Sequence, residues 1–212
     1  MKVLYVSDLD GTLLNENSSI SEQSLSILNT LIKKGVAFTF ATARSLHSAA
    51  KVTKGLQLKL PLIVYNGVYV LDAKDHHILA QQEFTKQQLE QILRIGDAYR
   101  QYPFVYAYIN GVERVSYLPD TLHPGGWHYR NSRMDDKRFR SIVSAQQLLD
   151  GDSFYVTFIN DKEALQPIYE QLCALDTFTI TFQRELGREE YWLEVMPATA
   201  SKANAILKLK EL

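Results

Sequence analysis

The sequence predicts an α/β protein: a parallel-sheet core interrupted by an inserted α+β module. Three observations predict it. Residues 3–67 alternate short apolar strands with amphipathic helices, the rhythm of βαβ units in a parallel sheet. After Gly67 that rhythm gives way to hairpins mixed with helices. Near the end, a strand at 191–195 and a helix after Ser201 return to the first pattern. The expected division is a discontinuous core of residues 1–83 and 187–212, with the α+β insert over 84–186.

Each element has a local cause. Val3–Val6 is apolar, β-branched and too short for a helix, so it predicts a buried strand. Ser21 is a fitting N-cap for a helix carrying Leu25, Leu28, Leu31 and Ile32, and Lys33, Lys34 and Gly35 close it. Val36–Ala41 predicts a second strand, ending in Thr42-Ala43-Arg44. A helix then leads to Gly55, and Leu62–Tyr65 predicts a third strand ending in Asn66-Gly67. Near-continuous apolar strands are what burial on both sheet faces requires. Val68–Leu71 and Ile78–Gln81 flank a turn-rich tetrapeptide and predict a hairpin. Thr85 and Gln88 form a capping box opening a helix with Leu89, Ile92, Leu93 and Ile95. Asn110-Gly111 between two alternating runs, 104–109 and 112–117, is a strong hairpin signal. Strands follow at 153–159, 177–182 and 191–195, with a helix at 162–175. The stretch 124–130, rich in glycine and aromatics, reads as a loop. The last helix carries Ala205, Ile206 and Leu209.

Composition narrows the function classes. The chain has 212 residues, 46% hydrophobic and 22% charged, which suits a globular protein and excludes a disordered or fibrous one. Lys and Arg total 23 against 24 Asp and Glu, so no global basic excess points to nucleic acid or an anionic membrane. No window approaches the ~18 apolar residues of a membrane helix. The single cysteine, Cys173, lies on an apolar helical face and is expected in the core; one cysteine fits a reducing, cytoplasmic setting. None of the five histidines shows metal-ligand spacing.

The chemistry concentrates at strand ends. Asp8 and Asp10 follow the first strand, and the carboxyl ends of parallel strands are where α/β sheets bind ligands. Alternation along an extended strand lets both point to one side. Gly11 allows the chain to turn sharply there. Paired carboxylates suit a hard cation such as Mg²⁺; the same pair also suits a plain Asx turn. Thr42 fits either a phosphate contact or the N-cap of the next helix. Arg44 fits a surface cation or an anion contact. Lys202 opposes the dipole of its helix in the first turn, which favours a functional role.

Asp8-Leu9-Asp10-Gly11-Thr12-Leu13 after an N-terminal strand resembles the first motif of the haloacid dehalogenase superfamily. Thr42 and Lys202 resemble its second and third motifs, and Asn66-Gly67 resembles an element of its Cof-type phosphatases. The resemblance spans the chain and implies a Rossmann-like core with a type IIB cap. It implies a Mg²⁺-dependent phosphatase acting on a small phosphorylated metabolite, such as a sugar phosphate, through an aspartyl-phosphate. In that reading Asp8 is nucleophile and metal ligand, and Asp10 is acid/base and metal ligand. Thr42 and Lys202 hold the phosphoryl group, and Arg44 and Asn66 are weaker substrate contacts. Two departures accompany it: Ala43 stands where the related subfamily has glycine, and no acidic fourth motif follows Lys202 before Leu212. The core is therefore expected to be incomplete at the C-terminus. That departure keeps open a catalytically impaired fragment or a binding or regulatory module, and phosphosugar mutase chemistry would use the same residues.

Overall fold

The computed structural model describes residues 3–185 and 187–212. The chain divides into two compact units, Met1–Gln82 with Ala200–Leu212, and Glu83–Thr199.

The first unit is the α/β part. Strand β1 (Leu4–Ser7) pairs in parallel with β2 (Ala37–Phe40), joined by helix α1 (Glu22–Lys33). Ser21 caps α1 through the Ser24 N–H. Helix α2 (Leu46–Val52) leads to β3 (Leu62–Val64), which touches the end of β2 through a parallel bridge, Ala41 to Ile63. Strands β4 (Tyr69–Leu71) and β5 (Ile78–Gln81) extend β3 into an antiparallel meander. Helix α6 (Lys202–Leu209) returns to this unit. Its Ala205 and Leu209 pack with Ala41, Ile63 and Val70, against Leu4 and Val6 of β1. Among the described residues β1 pairs with β2 alone, and Val3 and Tyr5 are exposed.

The second unit is one six-stranded sheet with helices. Helix α3 (Lys86–Ala98) opens on the Thr85–Gln88 capping box. The hairpin β6 (Phe104–Ile109) and β7 (Val112–Tyr117) turns on Asn110-Gly111, both at positive φ. Helix α4 (Pro124–Asn131), β8 (Phe139–Ser141), β9 (Asp152–Asn160), α5 (Lys162–Cys173), β10 (Phe178–Arg184) and β11 (Tyr191–Pro197) follow. The strand order is β10-β11-β9-β6-β7-β8. Leu89 and Ile92 of α3, Leu165, Ile168 and Leu172 of α5, and Val105, Val156, Phe158, Leu193 and Val195 of the sheet form its core.

Three expectations change here. The core was expected to resume at 187, but β11 lies antiparallel between β10 and β9 and belongs to the second unit, so the first resumes at Ala200. Burial of Leu193 and Val195 in the second core fixes it there, each side chain worth about 1.5–3 kcal/mol. The expected loop at 124–130 is helix α4: Pro124 sits in its first turn, His123 Nδ1 accepts from the Gly125 N–H, and Tyr129 is buried. Its two glycines hid the helical period. Cys173 is exposed at the end of α5, because the buried stripe runs through Leu172, about 100° round the helix.

Candidate active site

Strand β1 delivers two carboxylates to its carboxyl end. Asp8 caps the tight turn Leu9–Leu13, its Oδ1 accepting from the Leu9 N–H at 2.7 Å. Ser7 Oγ donates to the Asp8 carbonyl at 2.7 Å. Leu9 is fully buried and anchors the turn, and Gly11 takes φ +68°, so the chain reverses without a side-chain penalty. The polar side chains stay outside: Asp8 is 40% exposed and Asp10 is 52%.

The end of β2 supplies the next pair. The Ala41 N–H bonds the Ser7 carbonyl and the Thr42 N–H bonds the Ile63 carbonyl, so Thr42 is tied between β1 and β3 and wholly buried. Its Oγ1 accepts from the Arg44 N–H at 3.1 Å, and its own hydroxyl proton takes no part in that bond. Ser45, rather than Thr42, caps α2. Arg44 reaches Asp10 with both arms of its fork: Nε to Oδ2 at 2.8 Å and Nη2 to Oδ1 at 2.7 Å. Its Nη1 donates to Ser48 Oγ at 3.0 Å. Two parallel charge-assisted bonds fix direction as well as energy. The hydrogen bonds that Arg44 donates to the Asp10 carboxylate hold its pKa further above its usual value.

The remaining residues come from β3 and α6. Asn66 lies in the turn Tyr65–Gly67, its N–H on the Thr42 carbonyl at 2.9 Å. Ser201 caps α6, and the first helical residue, Lys202, places Nζ 2.6 Å from Asp8 Oδ2. The structure thus joins Asp8 to Lys202 and Asp10 to Arg44. It brings Thr42 and Asn66 alongside through the backbone. The Arg44–Asp10 fork escaped sequence reasoning, which had no signal pairing positions 34 residues apart.

The donors suit a hard cation. Both side chains are carboxylates, and Asp8 keeps lone pairs beyond those taken by Leu9 N–H and Lys202. The cluster carries two negative and two positive groups, so the cations already offset both acids. Asp8 and Asp10 are the residues that would hold Mg²⁺, whose ligands are oxygens. Among the described residues, one group of three acidic or histidine side chains brings its ligand atoms within 4.8 Å of one another: Asp72, Asp75 and His77, away from the strand-end pair. That departs from the expectation for the histidines. The hairpin turn itself gathers them: Asp72 Oδ1 accepts from the Lys74 and Asp75 N–H groups, and Asp75 Oδ1 from His77.

Known proteins resemble this chain over nearly its whole length. Residues 5–212 match the family model described as haloacid dehalogenase-like hydrolase. A Buchnera aphidicola protein named "Putative phosphatase" is 32% identical over 214 residues, 97% of this chain and 73% of that protein. An X-ray crystal structure from Thermotoga maritima superposes with a TM-score of 0.74 at 23% identity, covering 100% of this chain and 75% of that one. The structure of a HAD subclass IIB sugar phosphatase superposes with a TM-score of 0.74 at 14% identity, covering 100% of this chain and 75% of that one. The chain belongs to the haloacid dehalogenase-like hydrolases, and the enzyme class is phosphoric monoester hydrolase. No helix among the described residues is long and apolar enough to cross a membrane.

Proposed function

We propose that this chain is a Mg²⁺-dependent phosphatase of a small phosphorylated metabolite, a sugar phosphate or a compound like it, working in the cytoplasm through an aspartyl-phosphate on Asp8. The observation that carries this reading is the pairing of Lys202 Nζ with Asp8 Oδ2 at 2.6 Å, beside a second carboxylate on the same strand end. A cation poised on a half-exposed carboxylate can meet the oxygens of an incoming phosphoryl group. We read the second unit as a type IIB cap, and Asp8, Asp10, Thr42, Lys202, Arg44 and Asn66 as the site.

The chemistry follows from these groups. An Asp8 carboxylate oxygen attacks phosphorus, and the bond from phosphorus to the ester oxygen breaks. Asp10 delivers a proton to that leaving oxygen. A water then attacks the phosphorus of the acyl phosphate, Asp10 takes its proton, and the bond to Asp8 breaks to release phosphate. Bound Mg²⁺ would neutralise charge between Asp8 and the phosphoryl oxygens. Lys202 and the Thr42 hydroxyl hold those oxygens, and Arg44 keeps Asp10 in one orientation through its two bonds.

The test is phosphate release from a panel of phosphorylated metabolites, with Mg²⁺ and with chelator. Turnover of at least one substrate that vanishes with chelator and in Asp8→Asn is the expected result. Metal-independent turnover, or turnover that survives Asp8→Asn, would refute the reading.

A further inference from the structure

The turn after β3 takes a positive φ at every residue. Tyr65, Asn66 and Gly67 have φ of 49°, 53° and 97°. Asparagine tolerates that left-handed region, but a bulky buried tyrosine seldom adopts it. Such strain persists only where the surroundings over-determine it, and it clusters at functional sites. Here the surroundings are the site's own segments. The Tyr65 N–H donates to the Arg44 carbonyl at 3.0 Å and the Asn66 N–H to the Thr42 carbonyl at 2.9 Å. Gly67 meets the start of α6 with no room to spare. A Cβ at Gly67 would lie 2.2 Å from the Ser201 carbonyl oxygen, 2.5 Å from its carbon and 3.0 Å from the Lys202 nitrogen. These are backbone atoms, which cannot swing aside as a side chain would.

We infer that the Tyr65–Gly67 turn is a positioning element for the reaction: the bare backbone of Gly67 seats the first turn of α6 so that Lys202 meets Asp8. The same turn holds the Thr42–Arg44 segment, whose arginine holds Asp10. This rests on the phosphatase reading above for its kinetic test, though not for its structural one. Asn66 then acts through backbone geometry, rather than through the substrate.

Gly67→Ala tests it against a matched control. Gly35 has φ +91° with nothing within 4 Å of a built Cβ. Gly35→Ala therefore meets a similar conformational penalty without the collision. Both variants should lower the unfolding midpoint. Only Gly67→Ala should lower kcat, by about 10²-fold as expected for a displacement near 1 Å, with KM near wild type. In a Lys202→Met background, Gly67→Ala should cost nothing further, because its effect passes through that lysine. Crystal structures of wild type and Gly67→Ala read the separation of Lys202 Nζ and Asp8 Oδ2 with no need of turnover. It should open beyond hydrogen-bond reach, about 3.2 Å. If the wild type releases no phosphate, the phosphatase reading fails while the separation still decides this inference. An unchanged separation overturns it, as does a kcat penalty that persists undiminished without Lys202. Should Gly67→Ala not fold, Asn66→Gly frees the turn without any collision. It should lower kcat several-fold only when Lys202 is present; a loss confined to KM would assign Asn66 to substrate and overturn the inference.

Discussion

The strand-end cluster of the first unit and the Arg138 cluster of the second are built from the same parts, two carboxylates with arginine or lysine at 2.6–2.8 Å. Arg138 gives Nη2 to Asp136 and Nη1 to Glu113, each at 2.6 Å, and Nε to Asp136 Oδ1 at 3.0 Å. Its partners are drawn from β7 and from two residues away in sequence, and all three side chains are under 20% exposed. The strand-end cluster instead joins residues 194 and 34 positions apart and leaves its carboxylates roughly half exposed. A dry, closed network fixes shape, since each charge is costly without its partner. A half-open one gains little stability from its pairs, yet it keeps lone pairs and donors facing water, where a ligand can take them. Similar closest distances therefore occur in different surroundings, and exposure tells the two clusters apart.

The sharpest way to break the comparison is to remove charge from each cluster. Asp8→Asn should abolish phosphate release while leaving the unfolding midpoint nearly unchanged, because an amide cannot attack phosphorus as a carboxylate does. Wild-type rates in that variant, measured as phosphate release, would remove the nucleophile from the scheme. Asp10→Asn should lower kcat by about 10² to 10⁴-fold, the usual worth of positioned proton transfer. A change in KM alone would mean that Asp10 only binds.

The second cluster should respond in the opposite sense. Arg138→Met strands Asp136 and Glu113 in a poorly hydrated site and should cost about 3 kcal/mol of stability, with kcat per folded molecule unchanged. Lys202→Met should cost no more than about 1 kcal/mol, since its pair is about a third exposed, while kcat falls. Chemical denaturation of the two variants side by side reads this directly. Equal stability losses would mean that exposure does not separate the two roles.

Much of this was legible from local rules. The Asn110-Gly111 hairpin, the Thr85 capping box and the Ser21 and Ser201 caps need only neighbours a few residues away, and each stands where its residues place it. The candidate site was legible as positions, because Asp8, Thr42 and Lys202 fall at the ends of strands or the start of a helix. Its pairings were less so. Arg44 holding Asp10, and the collision that Gly67 avoids with Ser201, depend on how distant segments pack, and no local period records that. The expected boundary at 187 failed for the same reason. An alternating strand reads alike in either sheet, and only the burial of Leu193 and Val195 beside α5 decides which one takes β11.

The smallest effect concerns a carboxylate outside both clusters. Glu194 lies in the middle of β11, buried, with Thr181 Oγ1 donating to its Oε2 at 2.8 Å. Loss of water raises its pKa above the usual carboxylate value, with Glu185 adding to the rise, against hydrogen bonds from Thr181 and Tyr155 that lower it. A raised carboxyl pKa means that the folded state holds its proton where the unfolded chain has already lost it. Stability from this group is then fully present below the unfolded value near 4.3 and declines as pH rises toward the folded one. Glu194→Gln has no proton to lose and can still accept from Thr181. Relative to wild type, its unfolding free energy should rise as pH goes from 4 to 8, with little difference at pH 4. Urea titrations across that range measure the slope. Parallel pH profiles for the two proteins would mean that Glu194 is as well solvated in the folded state as in the unfolded chain, placing it with the half-open carboxylates of the strand ends instead of the dry ones around Arg138.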